Sequence, residues 1–479
     1  VTKIAAIICE YNPFHAGHAY QIARVRALYP DAAVVSIMSG SFVQRAQSAA
    51  ADKYVRARSA VTAGAEGPDL VLELPFPWSC ASAEYFARAG VYIASAIGAD
   101  ALCFGSETGD IDTLKRACAV VASDAFTSEF AFASADGKGA AAAREAAMAA
   151  INPDFVPIMR APNDILALEY LRALDRVADA ARAAAAEIDA MAEAEKEEQS
   201  RFDEAAEGFA ARLGSVARRV TDARAALGAR FGGDRGDTSS DGTSDDDAHP
   251  DDAALYDPAP QYDAALTIKA PEPVAIPRIR GEGIESASTL RSLMHAGGEW
   301  ERYMPSATAG VYNDAMARSL APASLDRIGD AVLLSLRLSA PDAIDAVADA
   351  HGGLGRRLIA AALASSTLAD ALAAAATKRY TNARLRRVAL YNLIGVTKAQ
   401  LCENPAYTIV LAANERGRAC LRSLKPALPV VTKPADIALC GEEAQRQFAL
   451  STRADAVFTL CTPSPTDAGR LVRSSPVMI

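Results

Sequence analysis

The chain has 479 residues, a formal net charge of −10, 51% hydrophobic and 23% charged side chains, enough for two or three domains around a sizeable core. No stretch reaches the roughly 18 uncharged apolar residues a membrane span needs, and the opening VTKIAAIICEYNPF lacks the apolar length and cleavage site of a secretory signal; a cytoplasmic globular protein is expected. Eight cysteines never pair as Cys-x-x-Cys, which argues against a zinc site or a disulfide framework, so no metal-ligating residues are assigned.

The acidic balance argues at first against a nucleic-acid partner, because phosphate recognition needs basic surface. Ten aspartates and one arginine between Asp234 and Asp263, however, carry −9 of the −10, and the remaining chain is free to form basic patches.

In chain order, apolar runs of strand length stand at KIAAIIC (3–9), AAVVSIM (32–38), DLVLELP (69–75) and ADALCFG (99–105), with helical periodicity at 17–29, 51–63 and 81–96. Continuous rather than alternating apolar strands joined by helices predict an α/β fold with a doubly wound parallel sheet, whose ligands bind at the carboxyl ends of the strands. From about residue 176 alanine interleaved with charge predicts a helical arm, and the acidic, glycine-rich run after it predicts disorder; 176–265 reads as an insertion. Order is expected to resume near Leu266, followed from Trp300 by a mainly helical C-terminal region, with strands at YTIVLAA (407–413) and LPVVTK (428–433).

The first strand runs straight into EYNPFHAGH, where two of only five histidines, His15 and His18, flank Gly17 at a strand-to-helix junction. Unpaired amides and the dipole at such a helix start favour an anion, glycine lets a ligand approach, and imidazoles can donate to a phosphate whose charge rises during reaction. That chemistry suits attack on the α-phosphorus of ATP, with His15 and His18 as catalytic residues; a structural cap is the competing reading for either histidine alone.

His-x-Gly-His after a first strand is similar to the signature of the nucleotidylyl transferase superfamily. EYNPFHAGH, MSGSFVQR, DKYVRA, DLVLELPFPWSCASAEYFA, LCFGSE, APNDILALEYLRAL and KRYTNARLRR, in this order and spacing, resemble one bacterial family within it, the tRNA(Met) cytidine acetate ligases, over about residues 3–175 and 266–465. The resemblance implies a Rossmann-like nucleotidylyl transferase fold with a helical tRNA-binding region, organised as 1–175 completed by about 266–300, the 176–265 insertion, and 301–479. It implies an enzyme that activates acetate with ATP to acetyl-adenylate and acetylates N4 of the wobble cytidine of elongator tRNA(Met), releasing AMP and pyrophosphate, with Mg2+ on the phosphates. Acetate rests on the resemblance alone. A small-molecule nucleotidyltransferase and a non-catalytic RNA-binding protein on the same fold remain the alternatives.

Carried onto this sequence, the resemblance places the ATP loop on Ile8, Cys9, Glu10, Tyr11, Asn12, Pro13, Phe14, His15, Ala16, Gly17, His18, Ala19, Tyr20 and Gln21, with Gly105, Asn163, Arg278 and Ile279 completing the nucleotide site. Gly105 would leave room for adenosine, Asn163 read base or ribose, and Arg278 grip phosphate, while taken alone they read equally as a turn glycine, a helix cap after Pro162 and a surface arginine. SASTLRSL is similar to the superfamily's late phosphate motif, which nominates Ser286, Ser288 and Arg291 against the plainer reading of a capped helix start. Lys53 and Arg56 either face the same pocket or form a solvated face. Lys378, Arg379, Arg384 and Arg387, with Tyr380 and Tyr391, form a basic and aromatic stripe, while Leu385, Val388 and Leu393 line an apolar face; by itself such a stripe reads as a solvated face, and the resemblance implies instead contact with tRNA phosphates and an unstacked base. The chain departs from the family pattern at Ser41, where Asn is usual, at RAQS (45–48) in place of RGEP, which puts Ala46 and Gln47 at a Gly and a Glu, and at Ser288 in place of Thr.

Overall fold

Four aliphatic runs build the centre of the molecule: β1 (Ile4–Cys9), β2 (Ala33–Ser39), β5 (Leu70–Leu74) and β6 (Ala101–Ser106), with the short hairpin strands β3 (Phe42–Val43) and β4 (Gln47–Ser48) between β2 and β5. The computed structural model describes residues 3–135, 138–187, 268–279, 285–351, 353–378 and 380–479, with 190, 193, 196 and 215. The predicted acidic segment, most of the helical arm, Leu266 and Arg379 lie outside the described residues. Residues 1–179 and 262–479 form one compact unit and 180–261 a second; in the second, residues 180–187 are helical.

Later segments add β7 (Glu272–Pro277), β8 (Thr408–Ala413), β9 (Val430–Val431) and β10 (Val477–Met478), and the main sheet runs β10-β8-β5-β2-β1-β6-β7, with β9 on β8. Every pairing in it is parallel except β5 with β8. All of β1, β2 and β5 is buried, as expected of strands covered on both faces, and each fully buried Ile, Leu or Val contributes roughly 1.5–3 kcal/mol. The chain winds outward from β1 through β2 to β5 and then returns to place β6 on the other side of β1. The strand order therefore reverses at β1, and a crevice opens at the carboxyl ends of β1 and β6.

Helices α1 (Ala16–Leu28), α2 (Lys53–Thr62) and α3 (Ala83–Ala96) follow the predicted segments closely. β7 is not apparent from the sequence because Pro273 interrupts the run; as an edge strand, bonded to β6 alone, it tolerates the missing donor. A second apolar cluster seats the helix Ala287–Ala296 beside the crevice. Leu290 and Met294, one turn apart, bury against Ala50, Ala51, Trp300 and Tyr312, and Gly297 ends the helix at φ 71, in the left-handed region.

Candidate functional site

At the end of β1 the chain makes a sharp turn. Tyr11 takes φ 42, unusual for a non-glycine residue, and is held there by its hydroxyl, 2.6 Å from Ser36 Oγ, while Phe14 is completely buried. His15, in extended conformation, is the N-cap of α1: its Nδ1 accepts from Gly17 N at 3.0 Å, and His18 Nδ1 accepts from His15 N at 3.2 Å. This reciprocal pair is a capping box built from two histidines. The rings lie 4.0 Å apart, and Tyr11 and Phe14 pack on His18.

The box fixes the chemistry of both rings. Since each Nδ1 accepts, each neutral ring carries its proton on Nε2. Burial, with a smaller contribution from Arg278, lowers the His15 pKa to about 4; burial, then His15 and Arg278, lower that of His18 well below the usual value. Both rings are neutral at pH 7, so they offer N–H donors without formal charge. The cap and the catalyst, alternatives in the sequence, are compatible here, because capping orients the donors.

Both histidines line a cavity of roughly 620 Å³ at the crevice, within the usual size range of small-ligand sites. Of the predicted loop, Ile8, Cys9, Glu10, Tyr11, Asn12, Gly17, Tyr20 and Gln21 also reach it, whereas Pro13, Phe14, Ala16 and Ala19 are not on its wall. Gly105, Asn163, Arg278, Ile279, Ser286, Ser288 and Arg291 line it too. Phe86, Phe104, Leu166, Tyr170 and Ile276, not singled out in the sequence, form an apolar wall on which a base can pack.

A Cβ on Gly105 would meet only the Arg278 stem, at 3.5 Å, an ordinary contact, so this glycine leaves one face of the cavity open rather than preventing a clash. Asn163 and Arg278 converge on Glu107, another residue the sequence reading passed over although it ends LCFGSE. Glu107 Oε2 accepts from the backbone N–H of Asn163 and Asp164, both at 3.1 Å, capping the helix that begins at residue 162. Its Oε1 accepts from Asn163 Nδ2 at 2.6 Å and lies 3.4 Å from Arg278 Nη1. The Asn163 amide is thus oriented with its Nδ2 engaged and its Oδ1 available to a donor such as an exocyclic amine or a ribose hydroxyl.

On the opposite wall, Ser286 is the N-cap of Ala287–Ala296, its Oγ accepting from Thr289 N at 3.1 Å, so the capped-helix reading and the cavity reading both describe it. Arg291 donates to Asn12 O at 2.8 Å and to Gln47 Oε1 at 3.3 Å, tying this helix to the histidine loop. Gln44 and Arg45, quoted in MSGSFVQR but given no role from the sequence, also line the cavity. Among the described residues no three His, Cys, Asp or Glu side chains group as a metal site.

Three expectations are corrected. Lys53 and Arg56 neither face the cavity nor solvent. Lys53 Nζ is buried between Glu73 and Asp455, at 2.8–2.9 Å, and Asp455 also accepts from Ser41 Oγ at 2.5 Å, which gives the departure at Ser41 a structural role away from the cavity. Arg56, fully buried, donates to the carbonyls of Glu10, Ser39, Gly40 and Ala51 and so pins the carboxyl ends of β1 and β2. The third correction concerns the helix Asn382–Ile394: Tyr391 belongs to the core, with its hydroxyl donating to Pro77 O at 3.2 Å. Arg387 pairs with Asp349 Oδ2 at 2.6 Å, Arg384 donates to Asp349 O at 3.0 Å, and both guanidiniums are largely buried. Leu385 and Val388 are buried as expected, and Lys378 is exposed. Ala46, where the similar family has glycine, adopts φ 52, which explains the glycine preference.

A mostly parallel sheet whose reversal point carries a capped His-x-Gly-His element in a nucleotide-sized cavity has the architecture of a nucleotidyl-transfer protein. The HIGH nucleotidyl transferase family matches residues 2–212 and 275–470, and the chain belongs to that family. It is 26% identical to the tRNA(Met) cytidine acetate ligase of Acetivibrio thermocellus, over 97% of this chain and 96% of that protein. It is 40% identical to the protein of the same name from Syntrophotalea carbinolica over 177 residues, 36% of this chain and 41% of that protein. Its fold superimposes on Thermotoga maritima TmcAL bound with alpha-thio ATP with a TM-score of 0.75 at 22% identity, covering all of both chains.

Proposed function

We propose that the chain is an ATP-dependent tRNA(Met) cytidine acetate ligase. The observation that carries this reading is the histidine capping box, which presents two neutral Nε2–H donors in a cavity at the switch point of the sheet. Similarity along nearly the whole length of proteins bearing that name supports the acceptor and the tRNA.

In the first step a carboxylate oxygen of acetate attacks the α-phosphorus of ATP. A bond from oxygen to phosphorus forms, the bond to the β-phosphate oxygen breaks, and pyrophosphate leaves with the electron pair. His15 and His18 donate to the oxygens on which charge builds, while Arg278 and the first amides of α1 supply the positive field. Asn163 and the apolar wall of Phe104 and Tyr170 hold the adenosine. Ser286 and Ser288 donate to the outer phosphates. Mg2+ accompanying ATP would offset the charge of those phosphates, and among the described residues no cluster of three His, Cys, Asp or Glu side chains would hold it apart from them. In the second step the cytidine N4 amine attacks the acetyl carbonyl, the bond from that carbon to the phosphate oxygen breaks, AMP departs with the electron pair, and N4 releases one proton to solvent. Lys378, exposed beside the Asn382–Ile394 helix, contacts tRNA phosphate, as does Arg379 next to it; Arg384 and Arg387 act chiefly through Asp349 to hold that helix in place.

Incubation with ATP, labelled acetate and tRNA(Met), followed by nuclease digestion, tests the reading. Label in N4-acetylcytidine is expected. A stable adenylylated small molecule, or tRNA binding without ATP turnover, would contradict it.

A further inference from the structure

The wall of the cavity shared by the histidine loop and the Ala287–Ala296 helix contains donors that the protein itself leaves unmatched. Asn12 is only 2% exposed; its Oδ1 accepts from Ala50 N at 2.7 Å and its carbonyl accepts from Arg291, yet its Nδ2 has no partner among the described residues. Leaving a buried amide donor unmatched is unfavourable, and a ligand acceptor would relieve it. Arg45 is exposed on the same cavity, with no hydrogen bond or ion pair to any described residue.

Arg291 completes the wall. The acceptors of its guanidinium are the neutral Asn12 carbonyl and the neutral Gln47 amide, so neither cancels its charge. Glu10 interacts with both guanidiniums, and Glu285 is the other described acid on the cavity; Glu10 already accepts from Gln44 N at 2.9 Å, and burial raises its carboxyl pKa, which weakens its competition for them. Among the described residues that line the cavity, the guanidiniums of Arg45, Arg278 and Arg291 stand against the two acids Glu10 and Glu285, and with the unmatched Asn12 amide they leave it rich in donors, a match for a planar carboxylate.

We propose that Asn12, Arg45 and Arg291 form the acetate subsite, in which Arg45 and Asn12 Nδ2 hold the carboxylate and Arg291 supplies the field beside it. The assignment rests on the acetate-activating reading given above. One carboxylate oxygen stays directed toward the phosphorus held by His15 and His18, which line the same cavity. The reacting atoms are thereby brought together before the oxygen-to-phosphorus bond forms.

Acetate-dependent exchange of labelled pyrophosphate into ATP tests this with Arg45→Met and Asn12→Asp; the second variant retains an acceptor for Ala50 N. Each is expected to raise the KM for acetate by about tenfold or more, the loss of one charge-assisted contact, while the KM for ATP stays within about twofold. Arg45→Lys should fall between Arg45→Met and wild type. An unchanged acetate KM, or an ATP KM that rises in parallel, would overturn the subsite and assign these donors to phosphate or to structure. Absence of acetate-dependent exchange in the wild-type protein, with ATP binding intact by calorimetry, would overturn the acetate reading itself and the subsite with it.

Discussion

The histidine loop and the Asn382–Ile394 helix both attract notice in the sequence for the same kind of reason, a cluster of nitrogen-bearing side chains, and the fold treats them in opposite ways. In the loop the two Nδ1 atoms are occupied by backbone donors, which leaves both Nε2–H groups for a ligand. On the helix, Arg384 and Arg387 have internal partners and Tyr391 is core. Lys53 and Arg56 belong with the helix, their donors taken by Glu73, Asp455 and four carbonyls. Donor chemistry can be read from a sequence; whether the donors are already engaged depends on acids and carbonyls that are distant in the chain.

The sharpest way to break this contrast is to remove the free donors. Replacing His15 and His18 together by alanine should lower acetate-dependent pyrophosphate exchange by at least about a thousandfold, since losing one such donor typically costs a hundredfold or more, and should lower stability by only about 1–2 kcal/mol for the lost cap. Exchange within tenfold of wild type would place the histidines with the structural group. Lys53→Met should do the reverse: by leaving Glu73 and Asp455 without their buried cation it should lower stability by about 3–5 kcal/mol in urea denaturation.

Acidification probes the same loop. The folded His15 pKa is about 4 and the unfolded value about 6.5, so between those values the unfolded chain binds more protons and stability falls as pH drops. From pH 7 to 4 this residue alone should remove about 3 kcal/mol, and a His15→Gln variant should lose correspondingly less over the same range.

Arg387→Ala should lower stability by about 1–2 kcal/mol and change the KM for tRNA by less than about threefold, because its guanidinium is held by Asp349. A tenfold rise in that KM without a change in stability would return the helix to the RNA-reading group. The smallest effect belongs to Ala46→Gly, which should stabilise the chain by up to about 1 kcal/mol by relieving the left-handed backbone.

Much of the fold was legible because β1, β2, β5 and β6 are continuous aliphatic runs separated by helical periodicity. β7 was hidden by its proline, and the antiparallel entry of β8 beside β5 involves a pairing about 340 residues apart along the chain that no local pattern announces. Within the site, His15 and His18 stood out by their chemical type and their setting at a strand-to-helix junction, whereas Asn163 and Arg278 were nominated only through the family resemblance, since alone they read equally as a helix cap and a surface arginine. Glu107 and Arg45 were not, because an acid that caps a distant helix and an arginine with no hydrogen bond or ion pair among the described residues look like any other surface charge until the fold sets Glu107 under Asn163 and Arg278 and Arg45 on the cavity wall.

The proposed function turns on His15 and His18 acting as neutral Nε2–H donors to a nucleotide. With only five histidines in the chain, nitrogen-15 NMR of histidine-labelled protein can read it directly. Two rings are expected to stay neutral from pH 8 to 5, carry their proton on Nε2, and shift at Nε2 when ATP is added. An imidazolium at pH 7, protonation on Nδ1, or resonances unmoved by ATP would contradict it.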